Sequence, residues 1–232
     1  MTETITVNET ITVNKSGQAL GRKGRRTRAN IVAGAGHLLR ETPMGSLTVA
    51  AIAKQAEISA PTFYLYFEDV GEVLLAVLED LAHELDGVLA MLKTPWPTER
   101  TYACAFEFVQ AYFELWIKHG ALLRARNQMA DQGDPRFVKI RYGNAMQFAD
   151  ALGEKFRNIR RIDTGDVITA VSLSGAIITA LERLATVMAL ESDVRGGPRR
   201  EETSRGVRWG ENNRALAHLI ADIVNPLHPV VP

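Results

Sequence analysis

The chain has little of several things. It holds one cysteine, Cys104, in 232 residues. No disulfide can close within it and no cysteine-based zinc site can form. Its helical surroundings predict a small, apolar role for that thiol. No apolar core of a signal peptide stands near the N-terminus, and no run reaches the ~18–20 apolar residues of a membrane span. There is no G-x-S-x-G, no H-E-x-x-H and no phosphate-binding loop. The "GAG" of residues 34–36 falls inside a helical pattern with no strand before it, so it is no dinucleotide loop. The five histidines are scattered, none at metal-ligand spacing with another. The expectation is a cytoplasmic protein that is not an enzyme and carries no cofactor and no metal.

Net charge is also absent. Lys plus Arg is 27 and Asp plus Glu is 27. The charge is unevenly spread, however. Between Lys15 and Val70 stand Lys15, Arg22, Lys23, Arg25, Arg26, Arg28, Arg40 and Lys54, against only Glu41, Glu57, Glu68 and Asp69. The remainder is net acidic. Such asymmetry predicts one end that meets a polyanion and another with a different task. At 46% hydrophobic and 23% charged, the chain can bury a substantial core.

The pattern along the chain is helical throughout. A repeated hexapeptide, "ETITVN", occupies residues 3–8 and 9–14, and "KSGQALGRKGRRTR" follows it. Residues 1–24 read as a disordered basic arm. From Arg25 to Glu41, Ile31, Ala35, Leu38 and Leu39 form a helical stripe. Thr48 offers an N-cap to "VAAIAKQA", Glu57-Ile58 make a turn, and Ser59 caps the next helix with Pro61 in its first turn. Asp69 caps a fourth helix, with Glu72 completing a variant capping box. Leu74, Leu78, Leu81, Leu85, Val88 and Leu92 give that helix a long seam. "KTPWP" ends it.

A fifth helix is predicted from about Glu99 to His119, stopping at Gly120, and a sixth from Ala121 to Ala130. A seventh opens at Asp134-Pro135 and runs to about Arg161. The eighth, about Asp166 to Glu191, is apolar on most sides, which predicts burial on two faces. Residues 192–212 read as a polar loop. A ninth, about Asn212 to Val224, would put Leu216, Leu219, Ile220, Ile223 and Val224 on one face. The fold class is all-α with about nine helices, and the pattern divides into residues 25–72 and 73–232.

Two short helices joined by a tight turn, after a basic helix, make the helix-turn-helix arrangement. The stretch "ISAPTFYLYFEDV" crowds Phe63, Tyr64, Tyr66 and Phe67 together. Phe63 and Phe67 stand at i and i+4, so they share one face and plug the core. Ala60, Thr62, Tyr64 and Tyr66 point elsewhere. Small residues let that end approach base edges, and tyrosine hydroxyls reach phosphates.

With "LTVAAIAKQAEISAPTFYLYF" in view, the chain resembles the TetR/AcrR family of regulators over about Arg28 to Leu78. "PTFYLYF" and "HGALLRA" are similar to an EthR-like subgroup. The resemblance implies that Ala60, Pro61, Thr62 and Tyr64 meet bases or nearby backbone, and that Thr48, Tyr64 and Tyr66 meet phosphates. Arg25, Arg26 and Arg28 of the basic segment join that surface. The family usually shows Ser-Lys-Glu at the start of the fourth helix. Here it is Asp69-Val70-Gly71, so the cap is kept and the cation is absent.

The resemblance also implies that residues 25–72 are a helix-turn-helix DNA-binding domain and that 73–232 are a helical domain for dimerisation with a ligand cavity. Its candidate lining is Phe106, Tyr112, Trp116 and Phe148, with Asn127, Asn144 and Ser172 as polar anchors. Walls of that kind fit a small apolar effector. The implied function is a homodimeric repressor, joined through the eighth and ninth helices and released from a palindromic double-stranded DNA operator by that effector. The other reading is a small-molecule carrier or sensor that no longer binds specific DNA.

Overall fold

The computed structural model describes residues 19–42, 44–160, 167–194 and 204–225. Among them stand eight α-helices and no β-strand: α1 Arg22–Glu41, α2 Val49–Gln55, α3 Ala60–Phe63, α4 Val70–Lys93, α5 Thr101–Asp131, α6 Pro135–Arg160, α7 Val167–Val194 and α8 Ser204–Val224. The hexapeptide repeat and most of the expected arm lie outside the described residues. Arg22, Lys23 and Gly24 already belong to α1. The chain divides into two compact units between Leu81 and Ala82.

The first unit is built by its caps. Thr48 Oγ1 accepts from the Ala51 N–H at 3.2 Å, and Ser59 Oγ accepts from the Thr62 N–H at 3.2 Å. At α4, Asp69 Oδ1 accepts from the Glu72 N–H at 2.7 Å, while Glu72 Oε2 accepts from the Glu68 N–H at 2.5 Å. The expected capping box is therefore present, with Glu72 reaching one residue further back. Each cap contributes about 1 kcal/mol. Ile31, Ala35, Ile52, Phe63, Phe67, Val73 and Leu74 fill the core beneath these helices.

The turn between α2 and α3 is a Schellman closure. Ile58 N–H donates to Ala53 O at 2.9 Å and Glu57 N–H to Lys54 O at 3.2 Å. Glu57 takes φ +56°, the left-handed position that glycine usually holds. A side chain there costs about 1–2 kcal/mol. Glu57→Gly should therefore stabilise the protein by about 0.5–1 kcal/mol, the gain being trimmed by the freer unfolded chain. A lower unfolding midpoint in a thermal melt would contradict this.

α3 is shorter than the sequence suggests. It closes at Phe63, and Tyr64–Tyr66 continue as hydrogen-bonded turns, with Tyr66 N–H on Phe63 O at 2.9 Å. Phe67 nonetheless returns to the core, 1% exposed, with its ring 5.9 Å from that of Phe63.

In the second unit, α5 packs against α6, α7 and α8, and α6 packs against α7. The expected fifth and sixth helices run as one element, α5, but His119 is non-helical (φ −117°, ψ 17°), so a kink falls where the sequence predicts the break. Gly120 also makes contact with α7. A Cβ on it would lie 2.6 Å from Ala189 Cβ. Counted with α5 as one element, the described residues hold eight helices rather than the expected nine. The expected polar loop is shorter too: α7 reaches Val194 and α8 begins at Ser204, with 195–203 outside the described residues. In α8, Leu216, Ile220 and Val224 are buried as expected, but Leu219 is 46% exposed. Ala217 and Ala221 complete the buried face instead.

The "KTPWP" break is tied down locally. Trp96 Nε1 donates to Met91 O at 2.9 Å, and Lys155 donates to Thr94 O with its ammonium 4.8 Å from the Trp96 ring. Burial pulls the Lys155 ammonium below its ordinary value. Cys104 is half-buried, and burial pushes its thiol up.

Candidate nucleic-acid interface and effector cavity

The helix-turn-helix end gathers most of the residues expected to meet DNA. Pro61 is exposed, Tyr64 is 49% exposed, and Ala60, Thr62 and Tyr66 are partly so. Tyr64 stands edge-on to Phe63 at 5.5 Å, so the buried ring fixes the direction of the exposed one. Thr62 Oγ1 and Ser59 Oγ are 2.8 Å apart, which holds the threonine hydroxyl on the cap. Thr48 is exposed while its oxygen caps α2. Arg25 and Arg26 are exposed on the first turns of α1. Arg25 Nη1 also donates to Leu20 O at 3.2 Å.

Arg28 is placed differently. Its guanidinium lies 5.0 Å over the Phe67 ring and acts on Glu79. It packs on the ring that follows the turn after α3. Burial raises the Glu79 carboxyl, and the Arg28 charge works against that rise. Leu65, 63% exposed, was not singled out from sequence. Its position between two tyrosines, off the Phe63/Phe67 face, was the available signal. Val70 begins α4 and is partly exposed.

In the second unit α4, α5, α6 and α7 enclose a cavity of about 20 Å³, room for roughly one water. Of the expected lining, Tyr112, Trp116, Asn144 and Phe148 are brought together there. Phe108, Tyr112 and Phe148 form an aromatic cluster, with Tyr112 edge-on to Phe148 at 5.6 Å. Phe106 does not line the cavity; it stacks on Tyr102 at 6.2 Å, and Tyr102 meets His218 of α8 at 4.3 Å. Ser172 is exposed on α7, away from the cavity. Asn127 sits just behind the lining, donating to Glu182 Oε1 at 2.7 Å.

The cavity is also charged, which the sequence reading missed. Arg126, Arg141 and Glu182 line it. Arg126 Nη2 lies 3.2 Å from Glu182 Oε1, and Arg141 Nε lies 3.6 Å from the same oxygen. Arg126 Nε and Nη2 donate to Asn127 Oδ1 at 3.0 and 2.9 Å, and its guanidinium is 5.9 Å from the Trp116 ring. Arg141 Nη1 meets Asp131 at 2.6 Å. Burial pulls the Arg126 guanidinium down from its ordinary value, and Glu182 opposes this. Burial, then the Glu182 charge, pushes the Tyr112 phenol well above its usual range. Among the described residues no cluster of His, Cys, Asp and Glu could hold a metal ion.

The profile described as "Bacterial regulatory proteins, tetR family" matches residues 31–77, and one described as "Tetracyclin repressor-like, C-terminal domain" matches 89–196. The chain belongs to the TetR family. The first match frames the helix-turn-helix, and the second takes in the cavity lining apart from Leu85. HTH-type transcriptional regulator EthR of Mycobacterium tuberculosis is 33% identical over 124 residues, covering 50% of this chain and 57% of that protein. The chain therefore spans little more than half the length of that relative. EthR of Mycolicibacterium smegmatis is 28% identical over 170 residues, covering 73% of this chain and 76% of its own. The solved structure of FadR from Bacillus subtilis in complex with stearoyl-CoA shares the TetR fold at TM-score 0.55 and 17% identity, covering 86% of this chain and 99% of that one.

Proposed function

We propose that this TetR-family protein is a ligand-responsive, DNA-binding transcriptional regulator, a cytoplasmic homodimeric repressor whose operator complex is released by a small molecule. One observation carries the reading: an exposed helix-turn-helix surface and an internal aromatic cavity occur in one chain, and α4 contributes to both. Val73 and Leu74 of α4 lie in the helix-turn-helix core, and Leu85 of the same helix lines the cavity. A ligand that favours one placement of α4 shifts the population of DNA-competent dimers. The named relatives are transcriptional regulators, and the fold of the FadR–stearoyl-CoA complex accommodates a ligand. Half-sites should be about one helical turn apart, ~34–36 Å, or a multiple of it.

A gel shift against the DNA upstream of the protein's own gene tests the reading. Thr62→Ala and Tyr64→Ala should each weaken specific binding by roughly 1–3 kcal/mol, because each removes an exposed polar contact. Both variants should keep the parent's unfolding midpoint within about 1 kcal/mol, since neither side chain is core. Parent-like binding by both would place the DNA elsewhere, and absence of any specific complex would favour a carrier or sensor.

Dimerisation is assigned to the outer faces of α7 and α8. On α7, Leu173, Val187 and Leu190 are 37–43% exposed, while Ile177, Ile178, Leu181 and Ala185 are buried. The segment Ala170–Leu190 has mean hydropathy 1.5 and is long and apolar enough by composition for a membrane, against the expectation that no run reaches such a length. Its buried side packs on α5 and α6, so a second copy covering the other side accounts for its apolarity. Leu219→Glu on α8 should convert the dimer to monomer in light scattering, with little loss of helicity. A dimer of unchanged mass would remove α8 from the interface.

A further inference from the structure

We infer that the effector of the cavity is a carboxylate with an apolar body, its anionic head seated on Arg126 and Arg141 and its body among Tyr112, Trp116 and Phe148. This rests on the proposed regulatory reading and names the chemical class of its ligand.

The argument begins with the charges. Inside the cavity two guanidinium groups share one carboxylate oxygen, Glu182 Oε1. Arg141, 37% exposed, also meets the 70% exposed Asp131, so the buried Arg126 and Glu182 are the charges that water screens least. Arg126 is only 5% exposed, and a buried cation of that kind demands anionic partners. Its Nε and Nη2 are bonded to Asn127 and Glu182. Its Nη1 makes no hydrogen bond among the described residues. The Asn144 amide also lines the cavity without a hydrogen bond among the described residues. Unused donors on Arg126 and Asn144 thus line the same cavity as the aromatic rings.

Each alternative chemistry fits less well. A neutral greasy molecule leaves those donors unfilled when it excludes water. An amine meets two guanidinium groups. A carboxylate accepts charge-assisted hydrogen bonds from an arginine fork and fills the Arg126 Nη1 and Asn144 donors. Glu182 stays bound to Asn127 and Arg141 as the effector joins.

Two matched series test this on the full chain: decanoate, decanol and decylamine, then phenylbutyrate, phenylbutanol and phenylbutylamine. Affinity is measured by calorimetry and by thermal shift at neutral pH. In at least one series the carboxylate should bind roughly tenfold or more tighter than its alcohol, with the amine weakest. The Arg126→Gln/Glu182→Gln double variant, which leaves no unpaired charge, should bind acid and alcohol within about twofold of each other. Circular dichroism confirms its fold. Glu182→Gln alone should tighten the acid, because it removes the competing carboxylate. The inference is overturned if the alcohol matches the acid in both series, or if the acid preference survives in the double variant. It is also overturned if no compound binds a protein that still shifts its operator, and then the regulator reading stands. A protein that prefers the acid but shifts no DNA supports the ligand class and sinks the regulator reading.

Discussion

Glu182→Ala should lower the thermal unfolding midpoint by roughly 10 °C, the signature of about 3–5 kcal/mol in a unit of this size. The carboxylate is the one partner that Arg126, Arg141 and Asn127 share. Truncation leaves Arg126 as a buried cation whose remaining partner is an amide oxygen. The charge, rather than lost packing, is the cause. Arg126→Met combined with Glu182→Met should therefore stay within about 1–2 kcal/mol of the parent, since a well-packed apolar pair replaces a buried ion pair at little cost. Denaturant titrations of parent, single and double variants decide it. Equal destabilisation of the single and the double would show that the site is held by shape alone.

Phe63→Ala carries the second large effect. Phe63 is 0% exposed and touches both Tyr64 and Phe67. Removing the ring should cost about 3–5 kcal/mol. A helix-turn-helix unit of some sixty residues has total stability of about that order. The expected outcome is loss of operator binding and partial loss of helical signal, with ligand-induced stabilisation retained by the second unit. Thr62→Ala, which should weaken operator binding while keeping the full helical signal, is the control for folding. Retention of DNA binding by Phe63→Ala would mean that the turn after α3 is positioned by other contacts.

The sequence makes local chemistry legible. Thr48, Ser59 and Asp69 were readable as caps because a cap bonds to an amide three residues away. Phe63 and Phe67 were readable as core from their spacing. Contacts between distant segments were not readable. Gly120 looks like a helix stop in one dimension, and a kink does fall beside it at His119; its contact with Ala189, on another helix, was not readable. Arg126 and Glu182 lie 56 residues apart on α5 and α7. The available clue was that Glu182 and Arg183 are the only charged residues between Val167 and Leu190. Leu219 was misplaced because a helix of small and large apolar residues offers two nearly equivalent faces, and Ala217 and Ala221 took the inner one. Arg28 read as a free cation because nothing in sequence brings Phe67 beneath it.

The cavity of about 20 Å³ has a consequence for time as well as affinity. No molecule larger than water fits until the lining side chains move apart. Association should therefore be gated. The observed rate should climb with ligand concentration and then level off at the rate of opening, while dissociation waits on the same step. Inducers ranked after a brief incubation would be ordered by how well they catch the open form. The same compounds ranked at equilibrium would be ordered by how well they fill it.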